Sequence, residues 1–271
     1  MKANLNGKTL EIVVCIKQVP GTSEVKLDPK TGVMLRDGVD AKLNPYDLSA
    51  IETAVRLKEL TGARVSVVSM GPPQASAAIR EAFMMGADTG ALLTDKRFAG
   101  ADVLATAYTL SQGIMKIAKP DLIICGKMTT DGDTAQVGPE IAEFLVIPHA
   151  TNVRRIVEIT AESITVEQEF SHALETVRIE FPCLITVERS IYQPRLPSYR
   201  LKLATAEREI RMLTLADLND PDELHYGLNG SPTSVLKVFP PVSDVHQEIW
   251  EGNSGELAEK LSRKMRELKF L

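Results

Sequence analysis

The chain has 271 residues, 44% of them hydrophobic and 25% charged, the make-up of a soluble globular protein able to bury a sizeable core. A formal net charge of -5 argues against nucleic acid as the main partner, because phosphate binding rewards a basic surface. The polar start, Met1 to Lys8, is no signal peptide, and no apolar run reaches membrane-spanning length, so a cytoplasmic protein without a membrane span is expected. Cys15, Cys125 and Cys183 each lie in an apolar run without a C-x-x-C pair, and the four histidines are scattered, so neither a metal site nor a redox dithiol is predicted.

Residues 10–16 read as a first buried strand, ending at Lys17-Gln18-Val19-Pro20-Gly21 with no G-x-G-x-x-G fingerprint. Asp28-Pro29-Lys30-Thr31-Gly32, between short alternating runs, predicts a hairpin over 25–34. Asn44 fits an N-cap and Pro45 a first turn, opening a helix over 48–60 that Gly62 closes. A strand at 64–70, a helix at 74–85, a strand at 91–94 and a helix at 102–118 follow, and 121–125 is the fourth strand. This alternation predicts a doubly wound, mostly parallel α/β sheet.

Residues 152–159, 163–170, 174–181 and 183–187 carry few helical signals and read as an antiparallel extension of the sheet. After an irregular segment at 191–199, a helix is expected over 204–212. Residues 218–242, with four prolines and two glycines among them, read as an extended C-terminal arm, and 248–270 as a terminal amphipathic helix with an apolar stripe of Trp250, Leu257, Leu261, Met265 and Leu268. So long an arm makes little core of its own, which favours docking on a second subunit over folding back. The division is residues 1–190 as one α/β domain, 191–247 as irregular loop and arm, and 248–271 as the terminal helix.

The chain is organised around Gly126-Lys127-Met128-Thr129-Thr130-Asp131-Gly132-Asp133-Thr134-Ala135-Gln136-Val137, which follows the fourth strand and precedes a helical pattern at 140–145. Strand, small and hydroxylated residues, then helix is the arrangement that holds a nucleotide at the carboxyl edge of an open sheet. Asp133 and Gln136 also have the spacing of a capping box, so a capped helix that binds nothing has the same pattern. The second carboxylate, Asp131, favours a ligand, since one helix needs one cap. A P-loop is absent.

With these residues laid out, the chain resembles the β subunit of electron transfer flavoproteins over nearly its whole length. The matching runs are Val13-Val14-Cys15-Ile16-Lys17, Asp37-Gly38-Val39, Asn44-Pro45-Tyr46-Asp47, Ala54-Val55-Arg56-Leu57-Lys58-Glu59, Met70-Gly71-Pro72, Met85-Gly86-Ala87-Asp88, the loop from Gly126 to Gly138, Leu174-Glu175-Thr176 and Gln193-Pro194-Arg195. The resemblance implies a heterodimer with an FAD-carrying α subunit. It also implies a nucleotide against Cys15, Asn44, Pro45, Tyr46, Asp47, Met70 and the residues from Gly126 to Val137.

Two classes exist in the family, one holding AMP in the β subunit as a structural nucleotide, the other a second FAD. The run Thr130-Asp131-Gly132-Asp133-Thr134-Ala135-Gln136-Val137-Gly138-Pro139 and the run Val187-Glu188-Arg189-Ser190 look like the second, electron-bifurcating class. That class implies hydride from NADH, electrons divided between ferredoxin or flavodoxin and the α-subunit FAD, and an FAD-dependent partner dehydrogenase of acyl-CoA, enoyl-CoA or 2-hydroxy acid type. Thr130 and Thr134 would meet the pyrophosphate, Asp131 and Asp133 would fix the loop or a ribose, and Arg189 would meet the flavin or a phosphate unless it forms a surface ion pair. Residues 191–199 match the dehydrogenase-docking loop, with Tyr199 where a leucine anchor is common.

Overall fold

The computed structural model describes residues 1–21, 41–234, 236 and 247–271. The hairpin expected over 25–34 lies outside the described residues.

The strands are β1 (Lys2–Asn4), β2 (Glu11–Cys15), β3 (Gln18–Pro20), β4 (Ala41–Leu43), β5 (Arg64–Met70), β6 (Thr89–Leu93), β7 (Leu122–Gly126), β8 (His149–Thr160), β9 (Ser163–Phe170), β10 (Ala173–Glu180), β11 (Cys183–Val187) and β12 (Arg211–Leu213). The helices are α1 (Pro45–Thr61), α2 (Ser76–Met85), α3 (Val103–Ile117), α4 (Val137–Leu145), α5 (Tyr199–Ala204) and α6 (Ser254–Glu267). One ten-stranded sheet runs in the order β10-β9-β8-β11-β7-β2-β5-β6-β12, with β1 paired to β8, while β3 and β4 form a separate ribbon.

The central strands are apolar at almost every position because both faces are covered. Ile12 and Val14 of β2 pack with Ile51 and Val55 of α1 and Phe83 of α2 on one face. Val13 and Cys15 join Ala107 and Ile114 of α3 and Ile141 of α4 on the other. Two-sided burial is the condition for a parallel sheet, and every pairing from β8 through β11, β7, β2, β5 and β6 to β12 is parallel. The doubly wound α/β expectation holds.

Three expectations are corrected. Residues 183–187 are not part of the antiparallel extension: β11 inserts between β7 and β8, parallel to both and buried along its whole length. Within the large sheet, the antiparallel pairings among the described residues are β8 with β9 and β9 with β10. The helix expected over 204–212 is instead the short α5, after which Arg211–Leu213 pairs with β6, covering backbone groups that would otherwise form an open edge. The arm folds back over its described first part. Tyr226 is fully buried against Phe98 and Tyr108, with its hydroxyl donating to the Asp220 carbonyl at 2.8 Å. One large aromatic side chain supplies the core that so many turn residues lack. Asp102, the N-cap of α3, ties the same segment down by accepting from the Thr233 amide at 3.0 Å and its hydroxyl at 2.7 Å. The terminal helix forms as α6, started by Asn253, whose side chain accepts from the Glu256 amide, and none of its residues is buried. No helix among the described residues is long and apolar enough to cross a membrane.

Candidate functional site: a cradle at the switch point of the sheet

After β2 the chain builds outward through β5 and β6, then returns to place β7 on the other side of β2. Such a reversal opens a crevice beyond the carboxyl ends of the two strands, where open α/β sheets bind ligands. Cys15 and Cys125 face each other in register at those ends. Both are buried, and the Cys125 thiol is held well above its ordinary pKa by hydrogen bonding to Cys15 and by burial, which makes it an inert packing group. Met70 ends the adjacent β5, and Val187 of β11 lies in register with Gly126. The strand ends expected on one edge are therefore together there.

The start of α1 supplies the wall of the crevice. Asn44 is its N-cap, yet its side chain caps nothing. The amides of Asp47 and Leu48 bond to the Asn44 carbonyl, which leaves the carboxamide free to turn toward the loop. Its Nδ2 donates to the Met128 carbonyl at 2.9 Å and its Oδ1 accepts from the Thr130 amide at 3.3 Å. Asp47 is buried and accepts from the Lys17 amide at 2.8 Å. Burial pushes its carboxyl up to about 7, against the backbone and side-chain hydrogen bonds that favour the charged form. Gly126 is required here, because a Cβ would come within 2.8 Å of Tyr46 and closer still to Asp47 Oδ1.

The loop itself is strained and open. Asp133 and Ala135 adopt left-handed backbone, with φ of 49° and 56°. Such conformations cost about 1 kcal/mol or more for non-glycine residues and concentrate at ligand clamps. Asp133 is not the N-cap expected from the sequence: its amide donates to the Thr129 carbonyl at 2.9 Å, and Gln136 occupies the N-cap of α4 without a side-chain bond. The helix starts late because two left-handed residues precede it, and Pro139 fits only its first turn. The first amides of α4 therefore have no side-chain cap. Thr130, Asp131, Gly132, Asp133 and Thr134 are exposed, and a Cβ on Gly132 would meet nothing closer than Thr129 Oγ1 at 3.5 Å.

Lys17 was missed by sequence reasoning. Its Nζ lies 2.7 and 2.9 Å from the two carboxylate oxygens of Asp131. Burial acts to raise the Asp131 pKa, but the Lys17 ammonium, with hydrogen bonds from the Thr129 side chain and the loop backbone, keeps the group below its ordinary value. The sequence signal was only its place just past the first strand. Lys127 is likewise engaged, with Glu188 Oε1 at 2.7 Å. Arg189 is exposed at the same edge and forms no ion pair among the described residues; its carbonyl accepts from Ser49 Oγ at 3.0 Å. No cluster of metal-ligating side chains occurs among the described residues.

The segment expected to dock a partner lies on the flank of α1. Arg195 donates to both oxygens of the buried Glu52, at 2.8 and 3.2 Å, and to Glu59 at 2.6 and 3.1 Å. Burial works to raise the Glu52 pKa, yet Arg195 and Arg56 hold it below its usual value. Leu196, Tyr199 and Leu203 then project into solvent, with exposures of 87%, 72% and 63%.

Comparison with known proteins agrees with this arrangement. A family model described as an electron transfer flavoprotein domain matches residues 31–218, well over half of the chain. The electron transfer flavoprotein subunit beta of Thermoanaerobacterium thermosaccharolyticum is 44% identical over 257 residues, covering 94% of this chain and 98% of that protein. The caffeyl-CoA reductase-Etf complex subunit CarD of Acetobacterium woodii is 42% identical over 260 residues, covering 95% and 98%. Protein FixA of Azorhizobium caulinodans is 41% identical over 238 residues, covering 86% and 85%. The chain belongs to the electron transfer flavoprotein family as one of its β subunits, proteins that work with an α subunit, a flavin or nucleotide and further redox partners.

Proposed function

We propose that the cradle between β7 and α4 holds FAD and that the subunit is of the electron-bifurcating type, working in the cytoplasm. The observation that carries this reading is the uncapped start of α4 at the switch point, reached over a loop left open at Gly132. Gly132 adds no side chain to that opening, which suits the longer of the two nucleotides. The likeness to a subunit of a caffeyl-CoA reductase complex adds support.

When bound, FAD would supply the redox chemistry, namely hydride acceptance from NADH and one-electron transfer toward ferredoxin or flavodoxin and, by way of the α-subunit FAD, a partner dehydrogenase. The chain's own part is position and charge. Asn44 fixes the Met128 carbonyl and Thr130 amide, so the entry to the loop is set before a ligand arrives. The α4 amides and the hydroxyls of Thr130 and Thr134 are the donors for a diphosphate. Asp131 and Asp133 avoid phosphate because like charges repel, and Asp131 fixes the loop through Lys17. Arg189 gives this edge a cation for the flavin or a phosphate. Leu196 and Tyr199, held out by the Arg195 clamp, are the contacts for an acyl-CoA, enoyl-CoA or 2-hydroxy acid dehydrogenase.

Counting the nucleotides released from the purified αβ complex tests this. Two FAD per pair is the expected result; one FAD with one AMP overturns the bifurcating assignment.

A further inference from the structure

The main chain of Lys17 is fastened on both sides. Its amide donates to the buried Asp47 at 2.8 Å, and its carbonyl accepts from the Asn44 amide at 2.9 Å. Its side chain crosses from the end of β2 to the loop after β7. The pair with Asp131 therefore spans the crevice between the two strands at which the sheet order reverses. The side chains are 46% and 33% exposed, so the pair contributes little to folding stability. Its place is the informative property. Asn44 holds the loop at Met128 and Thr130, and beyond Asp131 the backbone is left-handed at Asp133 and Ala135. Asp131 stands between the fastened and the strained part, where one further tie decides how the middle of the loop is set.

We propose that Lys17 and Asp131 form a strap across the mouth of the cradle, and that Lys17 is a positioning residue for the bound nucleotide, acting through Asp131 to hold the loop amides toward a diphosphate. This rests on the nucleotide site proposed above. The rival arrangement has the ammonium bind phosphate directly, with Asp131 competing for it. The two differ in sign at Asp131: a strap is weakened by Asp131→Asn, whereas a competitor's removal tightens binding.

The test is nucleotide release from the purified αβ complex after dilution, followed by flavin fluorescence for FAD or by chromatography of the filtrate for AMP. Lys17→Met and Asp131→Asn should each speed release about fivefold, the scale of one partly exposed ion pair. The double variant should be no faster than either single one, and Lys17→Arg should restore retention. Added salt should speed release from the wild type more than from the variants. Slower release from Asp131→Asn, independent effects that multiply in the double variant, or no change in either single variant overturns the strap. Wild type carrying AMP ends the bifurcating assignment while the strap is read on AMP release with the same expected result. Wild type with no nucleotide in this subunit overturns both.

Discussion

The loop at 127–136 and the segment at 191–199 both take their positions from α1, yet they are held in opposite ways. The segment at 191–199 is locked by one guanidinium shared between Glu52, which is buried, and Glu59, with Arg56 over the Tyr192 ring 4.6 Å from its centroid. The loop at 127–136 is held by a neutral carboxamide and a partly exposed ion pair, and its backbone is left strained. On the function proposed above, a rigid base would suit apolar side chains that meet a protein partner, and adjustable ties would suit a loop that receives a charged ligand.

That contrast can be broken at each end. The largest effect is expected from Arg195→Ala, which leaves Glu52 buried with only Arg56 beside it. A loss of about 3 kcal/mol follows from stranding a buried carboxylate, read by urea unfolding of the αβ complex. Electron transfer to a dehydrogenase should fall while nucleotide content stays intact; a variant of unchanged stability would put the clamp on the same footing as the loop. Gly126→Ala should cost about 2 kcal/mol, the ordinary scale of overpacking, because its Cβ would meet Tyr46 and Asp47. Here the nucleotide content should drop and dehydrogenase docking survive, the reverse of the first variant.

A pH series sharpens the electrostatic side. Asp47 has its carboxyl raised from an ordinary 3.8 to about 7, first by burial. The fold thus favours the protonated form, and its contribution to stability is full below about pH 4 and lost as pH rises toward 7. Asp47→Asn cannot titrate, so the stability difference between wild type and variant should decline across that window. Parallel curves would mean that the hydrogen bonds from the main chain offset the burial.

Much of the site was legible because local chemistry dictates it. The apolar run before Gly126, the small polar residues after it and the helical pattern beyond mark a strand, a loop and a helix whatever surrounds them. Asn44 was legible as an N-cap but not in its use, since only the neighbouring loop gives its side chain a better partner than its own helix. Asp133 misled for the same reason: the capping spacing was present, but the left-handed turn at Ala135 delayed the helix past it. Residues 218–233 were misjudged by composition, where turn formers outnumber one decisive tyrosine.

By itself the sequence determined the alternation of elements and the two-sided burial of the central strands, because hydrophobic pattern and turn chemistry act over a few residues. Strand direction and order were decided only in the folded chain. The pairing of β11 depends on which open edge it meets, and an apolar strand satisfies its backbone in either direction. The same order puts β7 beside β2 and brings Lys17 against Asp131 from 114 residues away. No local pattern encodes a contact that exists only because the sheet reverses there.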